Sequence, residues 1–425
     1  MNKKFYKKAG HLSGFLLIGI LALNVHAQDS SAGASSSSTS TNTNSSSGFN
    51  SGSSTNNAVP IDQGKFSQPR FKLSASLNEG YDDNTQTSKT NRIESGFTDL
   101  QANGFADLGN SRTLFTIGVT AGVNMYYSRP GNKFDKLASL TLNLAHKVNE
   151  KFTLTLNSYF TYQVEPDYTY QVELNRINGQ YFYTGDSISG AYEWTRRFQT
   201  VTSYNFVGIV YQDQVSRGND YYSNTFSNDL RFQLLPTTTI VASYQLSLTN
   251  YLYQTGNNTV TNAFFAGFDH SFSPKFTVTL RAGGQMQTQR DTSGAATSPY
   301  GEITLNYLYR RSSNVQGFLH YGFAYSNLAL GQSDKALRLG ITFNHSPTPK
   351  LSANLAFFYE HDDFSSANAS SAYTEDTFNI NTGVRYAVTP KFTLQLSYIR
   401  TSLLSDQAAL EYDRDVVSIG GTYTF

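Results

Sequence analysis

The sequence predicts an all-β fold: a closed antiparallel transmembrane β-barrel of about 18 strands. Three observations lead to this prediction. Segments of roughly 10 to 15 residues alternate polar and apolar side chains, short turns recur about every forty residues, and the chain ends in an alternating segment closed by Phe425. Helical periodicity is absent, and the mean hydropathy of −0.40 argues against a membrane protein built of apolar helices.

The N-terminal part of the chain is expected to lie outside the barrel. Residues 1–27 predict a signal peptide, because lysines at 3, 4, 7 and 8 precede an apolar run at 15–23 and a small-x-small cleavage site at Val25-His26-Ala27. Residues 28–68 are rich in Ser, Thr and Asn and predict a disordered periplasmic tail. The barrel is therefore assigned to residues 69–425.

The strands are predicted from a period of two. In Lys391-Phe-Thr-Leu-Gln-Leu-Ser-Tyr398 the residues Phe392, Leu394, Leu396 and Tyr398 share one face, and the intervening polar residues share the other. Segments that begin at Lys151 and Lys275 repeat this arrangement. In lipid such strands must close into a ring, because hydrocarbon cannot satisfy the backbone groups of a free edge.

The connections between strands alternate in length. Short turns end at Arg112, Lys151, Arg197, Thr238, Lys275, Ser313, Lys350 and Lys391. The longer polar loops are predicted at Tyr81–Ile93, Glu165–Gly179, Asp213–Asp220, Gln254–Asn257, Asp291–Thr297 and Asp363–Thr374. Eight short turns join sixteen strands, and one more strand at each end gives about 18, with 16 to 20 allowed by the boundaries. A repeat near forty residues is also typical of a propeller, but each period here holds two long strands rather than four short ones.

The last strand carries the most specific signal. Tyr423 and Phe425 continue a face that also holds Gly421, Ile419 and Val417. A terminal aromatic residue after such a face resembles the signature that the barrel-assembly machinery recognises in bacterial outer-membrane barrels. This resemblance predicts the outer membrane as the location, with the assembly machinery, lipid and lipopolysaccharide as partners.

A barrel of this size has room for an aqueous channel, since 16 to 18 strands leave water inside. The polar face carries charged residues that we expect to line the lumen: Glu193, Asp229, Arg231, Arg281, Glu302, Arg338 and Arg385. Either they set selectivity or they form structural ion pairs on the wall. Phe105, Tyr159 and Phe358 share the polar parity, which favours partial occlusion. Tyrosines near strand ends suit interfacial girdles, among them Tyr126, Tyr127, Tyr159, Tyr168, Tyr170, Tyr251, Tyr253 and Tyr307.

Composition excludes several functional classes. A net charge of +1 with no basic block argues against nucleic acid as a partner, and the absence of Cys removes Cys-ligated metals. Asp82-Asp83-Asn84 could supply oxygen ligands to a hard cation, although loop hydration is the simpler interpretation. His361-Asp362-Asp363 is the one arrangement that suits a barrel hydrolase, and no nucleophile motif accompanies it. We predict neither enzymatic activity nor a cofactor.

From Phe71 onward the chain resembles β-barrel porin families of Gram-negative outer membranes, some of them associated with exopolysaccharide or capsule export. The resemblance depends on Leu73-Ser-Ala-Ser-Leu-Asn-Glu-Gly-Tyr-Asp-Asp-Asn84, on Tyr181-Phe-Tyr-Thr184 and on Tyr192-Glu-Trp-Thr-Arg196. It implies a channel that passes small hydrophilic solutes or assists polysaccharide export, with polysaccharide or its export components as further partners. The alternative function is a structural or adhesive barrel that acts through its external loops with an occluded lumen.

Overall fold

The computed structural model describes residues 70–164, 179–212, 216–253, 256, 258–290, 295–324, 333–365, 372–408 and 410–425. The predicted signal peptide and the Ser/Thr/Asn-rich tail lie outside these ranges. Within them, no helix is long and apolar enough to cross a membrane.

The described part of the chain forms eighteen β-strands and one short 3-10 helix, Ser216–Asn219. The strands are β1 (Arg70–Asp82), β2 (Ser95–Gly109), β3 (Thr113–Tyr126), β4 (Phe134–Lys147), β5 (Phe152–Gln163), β6 (Tyr181–Glu193), β7 (Phe198–Tyr211), β8 (Tyr221–Leu235), β9 (Thr238–Tyr251), β10 (Thr259–Ser273), β11 (Phe276–Gln289), β12 (Ala295–Arg310), β13 (Ser313–Ala324), β14 (Ser333–His345), β15 (Leu351–Ser365), β16 (Tyr373–Ala387), β17 (Phe392–Ser405) and β18 (Tyr412–Thr424).

The strands close into one ring. Each strand pairs antiparallel with the next, and β1 also pairs antiparallel with β18 over a register that runs from Ser74↔Thr424 to Asp82↔Val416. The sheet therefore has no free edge, which is the condition for an extended chain to cross hydrocarbon. The predicted closed antiparallel barrel is confirmed, with the expected number of strands.

The closure between β1 and β18 is reinforced on the inner face by a buried ion pair. Arg414 Nη2 lies 2.6 Å from Asp82 Oδ2, and Arg414 Nε donates to Asp82 Oδ1 at 3.1 Å. Tyr126 on β3 donates a long hydrogen bond of 3.4 Å to the same carboxylate. Because Asp82 is fully buried, its charge is balanced by the guanidinium group rather than by water.

Alternation assigns the two faces of the wall. On β1, Leu77 is exposed while Asn78 is buried, and β17 and β18 behave in the same way with exposed Leu394 and Ile419. In a closed ring the residues that alternate with the exposed ones point to the concave side, so the exposed apolar residues face outward. This is the arrangement of a barrel with lipid outside and polar side chains inside.

All eight predicted short turns join strands at one end of the barrel. Several are fixed by a side chain at their first position: Asn149 Oδ1 accepts hydrogen bonds from the backbone N–H groups of Lys151 and Phe152 at 2.9 Å. The longer connections lie at the other end. There the strands extend further than predicted: β12 begins at Ala295 and β15 reaches Ser365, because hairpin pairing continues past the apolar band.

The girdle assignment is wrong for three tyrosines. Tyr126, Tyr159 and Tyr251 are 2%, 5% and 7% exposed and lie on the inward face. Tyr127 and Tyr253 are exposed. Adjacent residues of a strand point to opposite faces, so proximity to a strand end does not by itself place a tyrosine in the girdle. Tyr168 and Tyr170 lie outside the described residues.

Candidate functional site

All seven charged residues predicted to line the channel lie on the inward parity of their strands. Asp229, Arg281 and Glu302 are buried, whereas Arg231 and Arg338 are partly exposed. Register fixes the parity, since Arg281 pairs with Glu302 and both are more buried than the residues they alternate with on β11 and β12. These side chains therefore lie on the inward face of the sheet. That they line a channel and set its selectivity stays a prediction.

Most of them form one continuous row. Cross-strand register runs from Arg281 to Glu302, then to His320, Arg338 and Glu360. With Asp269 and Arg231 on the neighbouring side, these residues form what we call the charge belt: Arg231, Asp269, Arg281, Glu302, His320, Arg338 and Glu360. The belt is inclined, because Arg231 lies near the short-turn end of β8 whereas Glu360 lies closer to the loop end of β15.

Asp269 joins two arginines of the belt. Its Oδ2 lies 2.6 Å from Arg231 Nη2, and its Oδ1 lies 2.6 Å from Arg281 Nη2. Thr279 Oγ1 donates a further hydrogen bond of 3.1 Å to Oδ1. Because the Arg281 side chain is only 2% exposed, its charge depends on Asp269 and on a hydrogen bond from Nη1 to the Leu280 carbonyl.

The acidic members of the belt are held by specific donors. Tyr300 donates its hydroxyl hydrogen to Glu302 Oε2 at 2.6 Å, and Arg338 Nη2 lies 3.2 Å from Glu360 Oε1. Beside the belt, Ser243 Oγ donates to Asp229 Oδ1 at 2.7 Å. These contacts fix the carboxylates on the wall, so the positions of their charges are well defined.

Glu193 and Arg385 stand apart from the belt. Glu193 is the last residue of β6 and pairs with Gln199, and Arg385 lies near the short-turn end of β16 between Ser352 and Gln395. Both sit where a periplasmic opening of the lumen would be. The row of opposed arginines and acids expected from parity therefore includes four of the seven predicted residues, with Asp229 beside it.

The inner wall around the belt is rich in acid. Asp362 and Glu375 are buried register partners on β15 and β16, one step above Glu360. On the wall from β8 to β16, four arginines (231, 281, 338 and 385) stand against six carboxylates at 229, 269, 302, 360, 362 and 375. Among the described residues of this wall, negative charge therefore predominates.

Sequence reasoning missed Asp269 and Glu360. Both occur on strands whose inward face also carries a phenylalanine, Phe265 on β10 and Phe358 on β15, so the polar–apolar alternation is broken locally. The inward parity of Phe358 was available from the sequence, and Glu360 lies two residues further along the same face. That parity is the signal that could have identified it.

In other sectors of the barrel, inward aromatic residues narrow the lumen. Phe105, Tyr159 and Phe358 lie on the inward face as their parity predicted. Tyr159 belongs to a buried cluster near the loop end of β5–β9 that also contains Tyr181, Tyr183, Val207, Ile209, Tyr211, Tyr221 and Tyr251. Its rings pair across strands, as in Tyr181–Tyr211 with centroids 6.0 Å apart. Large aromatic side chains thus occupy the lumen side of this sector.

The residues considered for catalysis or metal binding are arranged otherwise. His361 points outward and contacts Asp376, with Nδ1 to Oδ1 at 2.9 Å, whereas Asp362 is buried on the inward face. The two therefore do not converge on one site. The carboxylate of Asp82 forms an ion pair with Arg414. In the described ranges, no group of three or more His, Asp or Glu residues is suited to a metal.

These features define a class: an integral outer-membrane β-barrel with an apolar exterior and a charged lumen wall. Residues 334–425 match the family described as "putative beta-barrel porin 2". This match supports the resemblance to outer-membrane β-barrel porins and the outer-membrane location. The association with exopolysaccharide stays a prediction. A comparison with curated proteins finds no match.

Several solved structures are similar in fold. OccAB4 of Acinetobacter baumannii has 13% identity and a TM-score of 0.45, with 86% of this chain and 100% of that chain covered. A BenF-like porin from Pseudomonas fluorescens Pf-5 has 10% identity and a TM-score of 0.46, covering 85% and 100%. OccK2 (OpdF) of Pseudomonas aeruginosa in complex with glucuronate has 10% identity and a TM-score of 0.46, covering 85% and 97%.

Proposed function

We propose that the protein is an outer-membrane channel for small hydrophilic solutes, and that the excess of carboxylates on its inner wall gives it a preference for cations. The observation that carries the proposal is the closed ring of eighteen strands with charged side chains on its inner wall. Barrels of about this size hold water, whereas those of about eight strands are filled by side chains. The porin match over residues 334–425 supports the same function, and porins are channels rather than enzymes.

The charge of the wall determines the direction of selectivity. A ring of carboxylates raises the local concentration of cations and lowers that of anions, and the low-dielectric wall strengthens the effect. The six carboxylates of the β8–β16 wall outnumber its four arginines, so cations should cross more readily. Asp229 and Glu302, each fixed by a hydroxyl donor, supply part of this negative charge.

Planar bilayers test the proposal. Purified, folded protein should give stepwise conductance, and its reversal potential in a salt gradient should indicate cation preference. Glu302→Gln should reduce that preference, whereas Glu411→Gln, an external carboxylate that contacts Lys89, should leave it unchanged. If the folded protein gives no conductance, the proposed channel function is refuted. Conductance with anion preference would be consistent with the channel function but would refute the proposed cation selectivity of the wall.

Polysaccharide passage is the finer form of this proposal. Its support is the resemblance to families associated with exopolysaccharide export, which also suggests polysaccharide or its export components as partners. Liposome swelling with sugars of increasing length is the direct assay. Entry of oligosaccharides would support polysaccharide passage, and a cut-off at monosaccharides would restrict the channel to small solutes.

The inward tyrosines favour a second candidate, a barrel that acts through its external loops with an occluded lumen. Tyr181 and Tyr211 are each 1% exposed, so this sector of the lumen side is filled. In that case, removing the predicted loop Glu165–Gly179 should abolish binding to a cell-surface partner without changing solute uptake. A loss of conductance in Tyr211→Trp, with unchanged partner binding, would instead support the channel.

A further inference from the structure

The outward face of strands β5–β8 carries more polar groups near mid-strand than the rest of the outer wall. Nearest the middle of its strand, β5 presents Ser158 and β8 presents Asn228, while Asp186 and Ile188 are equally near the middle of β6. The middle of β7 carries Tyr204, with Thr202 two residues away. On β9–β18 and β1–β4 the corresponding outward residue is apolar or a tyrosine. The chain therefore concentrates its mid-height exterior polarity in one sector of the ring.

The polar groups of this sector are organised by hydrogen bonds. Asp186 accepts hydrogen bonds from Ser158 Oγ and from Thr184 Oγ1, the latter at 3.0 Å. We call the following residues the outer polar sector: Ser158, Thr184, Asp186, Thr202, Tyr204, Asn224 and Asn228. Asn228 Nδ2 donates to Thr202 Oγ1 at 2.7 Å, and Tyr204 donates to Asn224 Oδ1 at 2.7 Å. A carboxylate has about four lone-pair sites, so Asp186 can accept further donors from outside the barrel.

Contact between this polar surface and lipid acyl chains is energetically unfavourable. Hydrocarbon has no donor for the remaining acceptor sites of Asp186, and charge on a lipid-facing position at mid-depth is unfavourable. Thr202 and Asn228 are exposed, so the unfavourable contact extends over two further strands. Contact with a protein surface that contains hydrogen-bond donors avoids this free-energy cost.

Apolar side chains surround the polar groups. Ile188 is 42% exposed on β6, and Phe226 is 48% exposed on β8 between Asn224 and Asn228. Phe182 at the loop end of β6 is also exposed. Polar groups set among exposed aromatic and aliphatic side chains are typical of the surface that two proteins share.

The arrangement is complementary to itself. The carboxylate acceptor lies on β6, and the hydroxyl groups of Thr202 and Tyr204 lie on the next strand at nearly the same level, since Tyr204 pairs with Ile188. A two-fold axis parallel to the membrane normal and placed between β6 and β7 sets β6 of one barrel against β7 of the other. Each Asp186 then faces β7 of the second copy, where the Thr202 hydroxyl accepts from Asn228 and still has a hydrogen to donate, whereas the Tyr204 hydroxyl already donates to Asn224. The contact occurs twice, as an isologous interface requires.

We propose that the outer polar sector is the interface of a two-fold symmetric homodimer within the outer membrane. The dimer covers Asp186 with the Thr202 hydroxyl of β7 and buries Ile188 near the symmetry axis. The fourteen other strands remain in contact with lipid, in agreement with their apolar or tyrosine residues at mid-strand.

Cross-linking in intact outer membranes tests the proposal, and the absence of cysteine makes single-cysteine variants unambiguous. Ile188→Cys should give a covalent dimer with a bifunctional maleimide. Leu355→Cys is the matched control, because Leu355 is 47% exposed and lies on β15, nine strands away around the ring. It should stay monomeric under the same conditions. Equal cross-linking of both variants, or cross-linking of Ile188→Cys to a different protein, overturns the proposal.

The particle mass in detergent gives an independent readout. Native protein should have the mass of two barrels, and Asp186→Leu should shift the population to one barrel while retaining the compact, heat-modifiable form of a folded barrel. A native mass of one or three barrels overturns the two-fold interface. So does an Asp186→Leu variant that folds and stays fully dimeric.

Discussion

Asp269→Asn would leave two arginines of the charge belt without their shared counter-charge. The amide keeps the shape of the carboxylate but removes the charge that lies 2.6 Å from both Arg231 Nη2 and Arg281 Nη2. Arg281 is the more sensitive of the two, because its side chain is 2% exposed, compared with 13% for Arg231.

The expected magnitude follows from this burial. Removing one partner of a buried ion pair costs ~3–5 kcal/mol, since the remaining charge stays desolvated. Asp269 itself is 22% exposed and Arg231 can reach lumen water, so the lower end applies. We expect Asp269→Asn to reduce the free energy of unfolding by about 3 kcal/mol.

The assay is reversible denaturant unfolding of the barrel in phospholipid vesicles. Asp413→Asn is the control, because Asp413 is 38% exposed and its contacts with Arg92 and Arg400 are 3.3 and 3.7 Å long. An exposed pair of this kind contributes ~0–1 kcal/mol. The double variant Asp269→Asn/Arg281→Gln should recover part of the lost stability, since it removes the stranded charge. Equal, small effects of Asp269→Asn and Asp413→Asn would refute the reasoning.

Three further predictions concern packing, assembly and pH. Gly267→Ala would place a methyl group 1.8 Å from a backbone carbonyl oxygen of β11 and should destabilise the barrel by ~1–3 kcal/mol in the same assay, whereas Gly301→Ala meets no atom within 4 Å and should change stability by less than ~0.5 kcal/mol. Phe425→Ala removes a 72% exposed ring from the proposed assembly signal. It should lower the amount of barrel in cell outer membranes without preventing spontaneous folding in detergent, and unchanged cellular levels would contradict this. Hydrogen bonds from the Thr374 hydroxyl and backbone N–H, at 2.8 and 3.0 Å, hold the pKa of Asp406 below its ordinary 3.8. That contribution to stability is present above pH 3.8 and lost as pH falls through the lowered pKa; carboxyl NMR titration should show the pKa rising in Thr374→Val.

The fold could be predicted because its main determinant is local. A period of two in segments such as Phe392–Tyr398, interrupted by turns that carry Asn, Thr or Pro, specifies both the strands and the short-turn end of the barrel. The loop end was less predictable. Residues such as Asp363 and Thr374 are polar, yet they belong to paired strands because hairpin hydrogen bonds do not depend on apolar side chains.

The candidate site was only partly predictable, because parity places a charge on a face but does not identify its partner. Arg231, Arg281 and Arg338 were assigned to the inner wall from their own strands. The counter-charges at Asp269 and Glu360 come from other strands through the cross-strand register. That register depends on the closure of the whole ring and cannot be read from any single segment.

The outer polar sector illustrates the same limit. Asp186 and Asn228 each interrupt an apolar face, and in one strand such an interruption carries little information. Their meaning comes from adjacency, since β5 to β8 lie side by side and their polar residues hydrogen-bond to one another on the outer face. The structure supplies this comparison around the ring.

Depth-dependent fluorescence quenching along β18 tests the closed barrel in lipid most directly. Single cysteines at positions 417, 418, 419 and 420 would carry a small fluorophore in vesicles whose acyl chains bear a quencher. Val417 and Ile419 are 43% and 63% exposed on the outer face, whereas Ser418 and Gly420 lie on the inner face. We predict strong quenching at 417 and 419 and weak quenching at 418 and 420. Uniform quenching, or none because the protein stays in water as a soluble monomer, would contradict the barrel and the channel proposed from it.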